Sequence, residues 1–183
     1  MALLAFEMWD DTLLIVCTDH GFLLGEHDWW AKSVMPWYNK IIQTPLFIWD
    51  PRSKLNNQRR KSLVQTIDFA PTILDFFQAE IPDTVQGKSL EETIEQDARV
   101  REGGLFGIHG GHVNVTDGRF VYMRAPRDVG NSPLYEYTIM PTHMNTMFDP
   151  AELQDLELAE PFSFMKNVRP LKAQARTRKP NRG

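Results

Sequence analysis

The apolar and polar stretches in the first part of the chain predict short strands separated by loops. Residues 12–17 contain an uninterrupted apolar run and predict a buried strand, which is typical of a parallel sheet covered on both faces. A second strand is predicted at 45–50, because Pro51 ends the apolar run there. The polar stretch 53–61 predicts a loop, and residues 63–67 predict a third, short strand.

One helix is predicted after these strands. Asp68 has the residue type of an N-cap, and Pro71 is tolerated in a first turn, so the helix is expected to run from Asp68 to about Gln78. The face predicted to be buried, from the helical spacing of its apolar positions, comprises Ala70, Ile73, Leu74 and Phe77. Strands and a helix in this order predict an α/β fold.

The pattern changes after about residue 100. Glycine turns at 110–111 and 116–119 separate short β-rich runs, which is typical of an antiparallel sheet. The strands predicted around these turns cover residues 105–109, 112–115, 120–124 and 134–139. A further helix is predicted within residues 149–166.

These patterns predict three parts. Residues 1–100 are expected to be part of an α/β domain with a mixed or parallel sheet and helices, and residues 101–168 a small antiparallel-sheet subdomain. Residues 169–183 are expected to be a basic flexible tail, because basic side chains occur there without any acidic one. Charge alone does not make this tail a nucleic-acid partner, so none is predicted.

Composition is that of an ordinary globular chain. Of the 183 residues 42% are hydrophobic and 24% are charged, and the mean hydropathy is −0.37. No apolar run approaches the ~20 residues that span a membrane, and the opening MALLAF lacks the basic region of a signal peptide. Membrane partners are therefore not expected. Location stays open, with the cytoplasm favoured.

The stretch TDHGFLLGEHDWWAK, residues 18–32, carries more charge than the end of a buried strand needs. Asp19 and His20 directly follow the first strand, where ligands of open α/β sheets sit, and Gly21 permits a turn. An adjacent carboxylate and imidazole are half of a divalent metal site that suits Ca²⁺ or Mg²⁺, and through the imidazole Mn²⁺ or Zn²⁺. The alternative is an aspartate that only caps a turn.

Lys32 follows in the same stretch, beyond a loop stiffened by Trp29 and Trp30. A lysine near a bound cation is expected where an anion lies between the two charges, so this combination suits a phosphate or sulfate ester. His27 lies between the metal-ligand candidates and Lys32. It either faces the substrate or forms a structural hydrogen bond.

The longer pattern is more specific. TDHGFLLGEHDWWAK followed by TPLFIWDPR resembles the sulfatase family of the alkaline phosphatase superfamily, which includes hydrolases of phosphonate monoesters and phosphodiesters. TIDFAPTILDFF, GKSL and FGIHGGHVNVTDGRFVYMRAP continue the resemblance in the family's order, over residues 9–166 in all.

The resemblance implies a metal-dependent hydrolase of sulfate esters. Asp19 and His20 match the family's metal-binding pair, with Ca²⁺ as the expected cation and Mn²⁺ or Zn²⁺ as alternatives. Lys32 matches the lysine that contacts the anionic group, so it is expected to bind substrate and to act in catalysis, with His27 as a second catalytic candidate. The expected partner is a small-molecule or carbohydrate sulfate ester.

One feature of the family pattern is missing from the chain. Family members carry two acidic metal ligands and a Cys-x-Pro/Ala-x-Arg motif near the N-terminus, whose cysteine is oxidised to the nucleophile formylglycine. Cys17 lacks the proline and arginine of that motif and is interpreted as a small core hydrophobe. Asp10 and Asp11 precede the strand and are not interpreted as metal ligands.

The chain is therefore expected to be the C-terminal portion of a sulfatase, with formylglycine in a missing N-terminal half. Such a chain is expected to be inactive alone and to self-associate through an exposed sheet edge. Alternatives stay open: a phosphonate monoester or phosphodiester hydrolase, or a non-catalytic fragment that at most binds a metal or anion. His109 and His112 are a weaker metal pair, and His143 is a candidate for the mouth of the site.

Overall fold

A computed structural model describes the chain in two compact units, Met1–Ala125 and Pro126–Gly183. The residues described are 6–32, 37–128, 130–143, 146–154 and 156–175. The division falls later than the boundary predicted at residue 100, so the glycine-turn hairpins belong to the first unit.

The first unit contains short strands and helices whose order is that of a mixed α/β fold. Its strands are β1 (Leu14–Cys17), β2 (Leu23–Leu24), β3 (Trp30–Ala31), β4 (Leu46–Trp49), β5 (Gly104–Gly107), β6 (Val113–Thr116) and β7 (Val121–Arg124). Its helices are α1 (Asn39–Ile42), α2 (Phe69–Phe76) and α3 (Glu91–Gln96). In the part of the chain that the structure describes, no helix has the length and apolar character needed to cross a bilayer.

Strands β1 and β4 were both predicted, but their pairing differs from the expectation. They run antiparallel, with Val16 opposite Phe47. The side chains of Val16 and Phe47 are 51% and 68% exposed, so β1 is not a strand covered on both faces. Cys17 at the end of β1 is exposed, and its interpretation as a core residue is therefore wrong. A continuous apolar run does not by itself fix strand direction or the covering of both faces.

Helix α2 exists where it was predicted, but it buries the opposite face. Pro71 and Thr72 are buried, whereas Ile73 and Phe77, expected in the core, are 42% and 70% exposed. The buried face is held by hydrogen bonds: Thr72 Oγ1 donates to the carbonyl of Asp68 and accepts from the N–H of Leu90 at 3.0 Å. A satisfied polar network thus decides which face of this helix is inside.

Residues 63–67 do not form the predicted strand. They lead into a 3-10 turn, Thr66–Asp68, whose start is a reciprocal capping arrangement between Gln65 and Asp68. Asp68 is fully buried, accepts from the N–H groups of Gln65 (2.8 Å) and Lys88 (3.0 Å), and forms an ion pair with Arg101. The N–H groups of Gln65 and Lys88 therefore have hydrogen-bond partners without any strand pairing.

The glycine-turn hairpins are confirmed. Strands β5, β6 and β7 form an antiparallel sheet in that order. Gly110 and Gly118 in the two turns have φ values of 75° and 90°, in the left-handed region that favours glycine. On one face of this sheet, Phe106 packs against a small core that comprises Leu23, Trp37 and Ile41.

The second unit is an antiparallel sheet of β8 (Tyr135–Thr138), β10 (Leu171–Gln174) and β9 (Glu157–Leu158), in that spatial order. The strand predicted at 134–139 is present, and it pairs with β10. Among the described residues of 149–166 the predicted helix is not formed: a 3-10 turn, Glu152–Gln154, and β9 lie there instead.

The segment predicted as a flexible tail begins with a strand. Residues 171–174 form β10, the central strand of the second sheet. Ala173 and Ala175 are 7% and 6% exposed, so small apolar residues anchor this segment in the sheet. The remaining positions of the predicted tail, 176–183, lie outside the described residues.

Candidate metal and anion site

The loop that follows β1 is tied to helix α1 by its backbone. Gly21 N–H donates to the carbonyl of Ile41 at 2.8 Å. A Cβ placed on Gly21 would lie 1.7 Å from the carbonyl oxygen of Lys40, a distance that no side chain tolerates. Glycine is required here by the close approach of the two backbones. The position of the preceding Asp19 and His20 follows from this contact.

The imidazole of His20 is fixed in one tautomer by its own loop. Its Nδ1 lies 2.9 Å from the carbonyl oxygen of Gly21, which can only accept, so Nδ1 carries the hydrogen and Nε2 presents a lone pair. A backbone carbonyl that orients a histidine in this way is common behind metal-ligating imidazoles. The lone pair of His20 Nε2 is therefore the ring's acceptor, and it can take either a hydrogen bond or a cation.

Three residues singled out by the sequence meet at this nitrogen. His20 Nε2 lies 3.2 Å from Asp19 Oδ2 and 2.6 Å from Lys32 Nζ. The ammonium donates to the lone pair of Nε2, and a carboxylate oxygen of Asp19 lies near the same nitrogen. A carboxylate, an imidazole nitrogen and an ammonium group thus converge at one edge of the β1 loop.

Asp19 is held in its ionised form by local hydrogen bonds. Its Oδ1 accepts from the N–H of His20 at 3.0 Å and from the hydroxyl of Thr18 at 3.3 Å. Desolvation raises the pKa of Asp19, but the hydrogen bonds from the backbone N–H of His20 and the hydroxyl of Thr18 oppose it, and the pKa lies below its ordinary value. The side chain is 80% exposed, which leaves its second oxygen open to a ligand.

Lys32 reaches the cluster from the β2–β3 hairpin. Leu23, fully buried and opposite Ala31 in the ladder, anchors the hairpin in the core. On the other face, Leu24 lies opposite Trp30, and the Trp30 side chain is 70% exposed. A buried residue on one face therefore fixes the strand that directly precedes Lys32.

His27 is placed differently. It lies in the 3-10 turn Glu26–Asp28 with φ 57°, and its ring stacks on Tyr38 with centroids 3.7 Å apart and planes at 9°. In the residues that the structure describes, no hydrogen bond or ion pair joins His27 to Asp19, His20 or Lys32. No role was predicted for Tyr38, because an aromatic residue after a loop carries no specific signal.

Glu26, which the sequence leaves without a role, closes the same loop. Its carboxylate accepts from the N–H of Leu24 at 2.6 Å. This hydrogen bond is the main reason why the pKa of Glu26 lies below its ordinary value. Glu26 therefore shapes the loop between His20 and Lys32.

Asp19 and His20 fit a divalent cation as two donors. A carboxylate oxygen and an imidazole lone pair on one side of a loop are the ligand types that such cations take. Among the described residues no group of three or more His, Cys, Asp or Glu side chains could hold a metal ion. Further ligands would have to come from elsewhere.

The structure also places the other histidines noted in the sequence. His109 and His112 are in the turn between β5 and β6, as predicted. His143 is only 9% exposed, and both of its ring nitrogens bind glutamate carboxylates. Its imidazole is thus engaged within the second unit, and the expectation that it approaches a substrate is not supported by its contacts.

The comparison with protein families gives one match over most of the chain. The profile of the C-terminal region of N-sulphoglucosamine sulphohydrolase matches residues 25–160. A curated relative, the N-acetylglucosamine-6-O-sulfatase of Bacteroides thetaiotaomicron, is 28% identical over 155 residues, which is 78% of this chain. The chain spans 27% of the length of that relative.

Solved structures agree with this match. The structure of BT4656 in complex with its substrate D-glucosamine-2-N,6-O-disulfate has a TM-score of 0.61 and 27% identity, over 69% of this chain and 28% of that one. The phosphonate monoester hydrolase SpPMH from Silicibacter pomeroyi has a TM-score of 0.60 and 27% identity, over 68% and 28%. The chain therefore belongs to the sulfatase family of the alkaline phosphatase superfamily, with residues 25–160 matching the C-terminal region of N-sulphoglucosamine sulphohydrolase.

Proposed function

We propose that this chain supplies two metal ligands and the anion-binding lysine of a metal-dependent sulfuric ester hydrolase. The observation that carries the proposal is the meeting of the Asp19 carboxylate and the Lys32 ammonium at His20 Nε2, at 3.2 and 2.6 Å. A cation on Asp19 and His20 would take the place of the Lys32 ammonium at Nε2, and the displaced ammonium and the cation would then offer two positive charges to one tetrahedral anion. Sulfate esters develop negative charge on their oxygens during hydrolysis, so this arrangement suits them.

Each residue has a separate part in this proposal. Asp19 and His20 hold the cation, for which Ca²⁺ is the expected ion and Mn²⁺ or Zn²⁺ are alternatives. The bound cation would act as a Lewis acid on an ester oxygen. Lys32 neutralises the remaining ester oxygens and favours departure of the leaving group. His27, held in place by the Tyr38 ring, is a second substrate contact.

The nucleophile is proposed to come from outside these residues. The 183-residue sequence contains no Cys-x-Pro/Ala-x-Arg motif, which in this family yields formylglycine. We therefore expect the chain alone to bind a cation and an anion without turning over an ester. Measurable hydrolysis of an aryl sulfate by the purified chain would contradict this part.

A sulfated amino sugar is the proposed substrate class. The substrate of BT4656 is D-glucosamine-2-N,6-O-disulfate, and that protein has a TM-score of 0.61 with this chain. Trp29 and Trp30, directly before Lys32, are 52% and 70% exposed. Indole rings offer flat apolar faces with a polar edge, which supports stacking of a sugar ring next to the anion site.

A phosphonate monoester is the second candidate substrate. The likeness to SpPMH favours it, because its TM-score of 0.60 and identity of 27% match those of the sulfate-binding neighbour. Phosphonate and sulfate monoesters both present tetrahedral oxyanions to a cation and an ammonium group. Competition between inorganic sulfate and methylphosphonate for the Lys32 ammonium separates the two.

The test of this proposal is cation binding by the purified chain. We expect Mn²⁺ to broaden the ring NMR signals of His20, and Ca²⁺ to shift them without broadening. Asp19→Asn removes a charged ligand and should abolish the effect, whereas Asp28→Asn, in the same loop, should leave it unchanged. Added sulfate should then shift the side-chain signals of Lys32, and Lys32→Met should prevent sulfate binding while Mn²⁺ still broadens His20.

Two results would overturn the proposal. Equal broadening of His20 in the Asp19→Asn variant would show that Asp19 is not a ligand. Broadening that appears at His109 or His112 while His20 stays sharp would place the cation elsewhere.

A further inference from the structure

Three ionisable side chains from different elements meet in the second unit. His143, between β8 and the turn Glu152–Gln154, is 9% exposed. Its Nδ1 lies 2.8 Å from Oε2 of Glu136, which is on β8. Its Nε2 lies 2.9 Å from Oε1 of Glu152, at the start of the turn. One imidazole thus joins a strand to a turn that follows it in sequence.

The geometry matches the protonated ring. A carboxylate accepts hydrogen bonds and does not donate them when ionised, so each ring nitrogen needs an N–H. Neutral imidazole has one N–H, and its other nitrogen would then direct a lone pair at a carboxylate oxygen less than 3 Å away. Imidazolium satisfies both contacts with charge-assisted hydrogen bonds.

The other groups around the cluster are consistent with this form. Asp149 N–H donates to Oε2 of Glu152 at 2.6 Å, and the ring of Phe148 packs against His143 at 4.6 Å between centroids. On β10, Ala173 lies opposite Glu136, so by strand alternation Lys172 projects from the other face of the sheet. There Lys172 contacts Glu157 and the ring of Tyr135.

The pKa of His143 is raised, in agreement with a protonated ring. The hydrogen bond to Glu136 raises it, burial opposes this, and the hydrogen bond and charge of Glu152 raise it further, so that the pKa lies above its ordinary value. A raised folded-state pKa adds stability that is complete below the unfolded pKa of histidine and is lost as the pH rises through the folded pKa.

Two backbone hydrogen bonds join the segment around His143 to residues that follow it in the chain. His143 N–H donates to the carbonyl of Thr146 at 2.8 Å, and Phe148 N–H donates to that of Pro141 at 3.0 Å. We propose that His143 is a proton-dependent clamp, which as imidazolium holds the turn 146–154 against β8 and on deprotonation releases it. This inference concerns the second unit alone and does not depend on the proposed function.

The test combines NMR of the His143 ring with hydrogen exchange in the complete chain. We expect both ring nitrogens to carry hydrogen at about pH 6, well into the titration range of histidine. The exchange protection of the Phe148 and Asp149 amides, corrected for the intrinsic rate, should fall as the ring deprotonates. Each unit by which folding raises the pKa of His143 corresponds to about a tenfold difference in the protection factor of these amides between the protonated and the deprotonated ring.

Single-charge variants make the test specific. Glu136→Gln and Glu152→Gln keep the imidazole and remove one carboxylate charge each, so each should lower the titration midpoint of His143 and the protection of both amides. Glu157→Gln, on the opposite face of the same sheet, should change neither. His143→Gln should remove the pH dependence of protection altogether.

The proposal of a clamp is wrong if His143 has one N–H and titrates at or below its ordinary pKa in the wild-type chain. It is equally wrong if the two amides keep their protection while the ring deprotonates. Because Glu136→Gln and Glu152→Gln change one group each, the midpoints of these two variants decide the matter even where His143→Gln does not fold.

Discussion

At the scale of single residues, the loop after β1 is fixed by a backbone contact that leaves no room for a side chain. Gly21 donates to Ile41 and lies against the carbonyl of Lys40. The same loop holds the Nδ1 hydrogen of His20 on the Gly21 carbonyl. The orientation of the metal-ligand candidates therefore depends on a residue that has no functional group of its own.

The first prediction concerns Gly21→Ala. Its Cβ would lie 1.7 Å from Lys40 O, so the loop must move away from α1, and we expect a loss of about 1–3 kcal/mol in the free energy of unfolding. Urea unfolding measures this loss, and the ring signals of His20 should shift with it. Gly130→Ala is the control, because a Cβ there meets nothing within 4 Å. Equal stability of the two variants would contradict the contact.

The proximity of three candidate residues was predictable because the signal is local. Asp19, His20 and Lys32 lie within one stretch at the end of a strand, and the structure brings their charged groups together. The stacking of His27 on Tyr38 was not predictable, because it joins residues on either side of β3 through ring packing alone. The spacing along the chain brings Asp19, His20 and Lys32 together, whereas tertiary packing brings His27 and Tyr38 together.

At the scale of elements, polar contacts inverted an amphipathic prediction. The apolar spacing of helix α2 correctly indicated a helix but named the wrong face, since Ile73 and Phe77 are exposed. Asp68 and Thr72 are buried instead and accept hydrogen bonds from the N–H groups of Lys88 and Leu90. Pro71, on the same face, is buried with them. Periodicity reports where apolar residues lie on a helix, and it does not report which surface other segments cover.

The second prediction tests this buried polar face. Asp68→Ala removes the partner of Arg101 and the acceptor of two backbone N–H groups, so we expect a loss of about 3–5 kcal/mol in the free energy of unfolding. Chemical denaturation followed by circular dichroism measures it. Asp83→Ala, an exposed position between α2 and α3, should stay within about 0.5 kcal/mol of wild type. A similar cost for both would mean that the buried pair contributes little.

At the scale of the whole molecule, a small core coexists with many exposed apolar side chains. In the described residues the buried hydrophobic side chains comprise Leu23, Trp37, Ile41, Leu90, Phe148, Ala173 and Ala175. Exposed ones occur on β1 and β4, on helix α2 and on both faces of the β5–β7 sheet. Soluble monomers seldom expose large contiguous apolar patches, so we expect other polypeptide to pack on these faces.

The last prediction concerns the face of β1 and β4. Val16 and Phe47 lie opposite each other and are 51% and 68% exposed, so copies of the chain should associate through them at high concentration. In the double variant Val16→Thr with Phe47→Thr, both positions keep a residue type that strands favour. Because burial of one such apolar side chain is worth about 1.5–3 kcal/mol, the double variant should weaken association by about tenfold or more. Sedimentation velocity measures this change. Val168→Thr, 51% exposed on a loop, is the matched control and should leave association unchanged. Equal association of the double variant and the wild type would show that the contact uses another of the exposed faces. A wild-type chain that stays monomeric would show that this strand pair is stable while exposed to water.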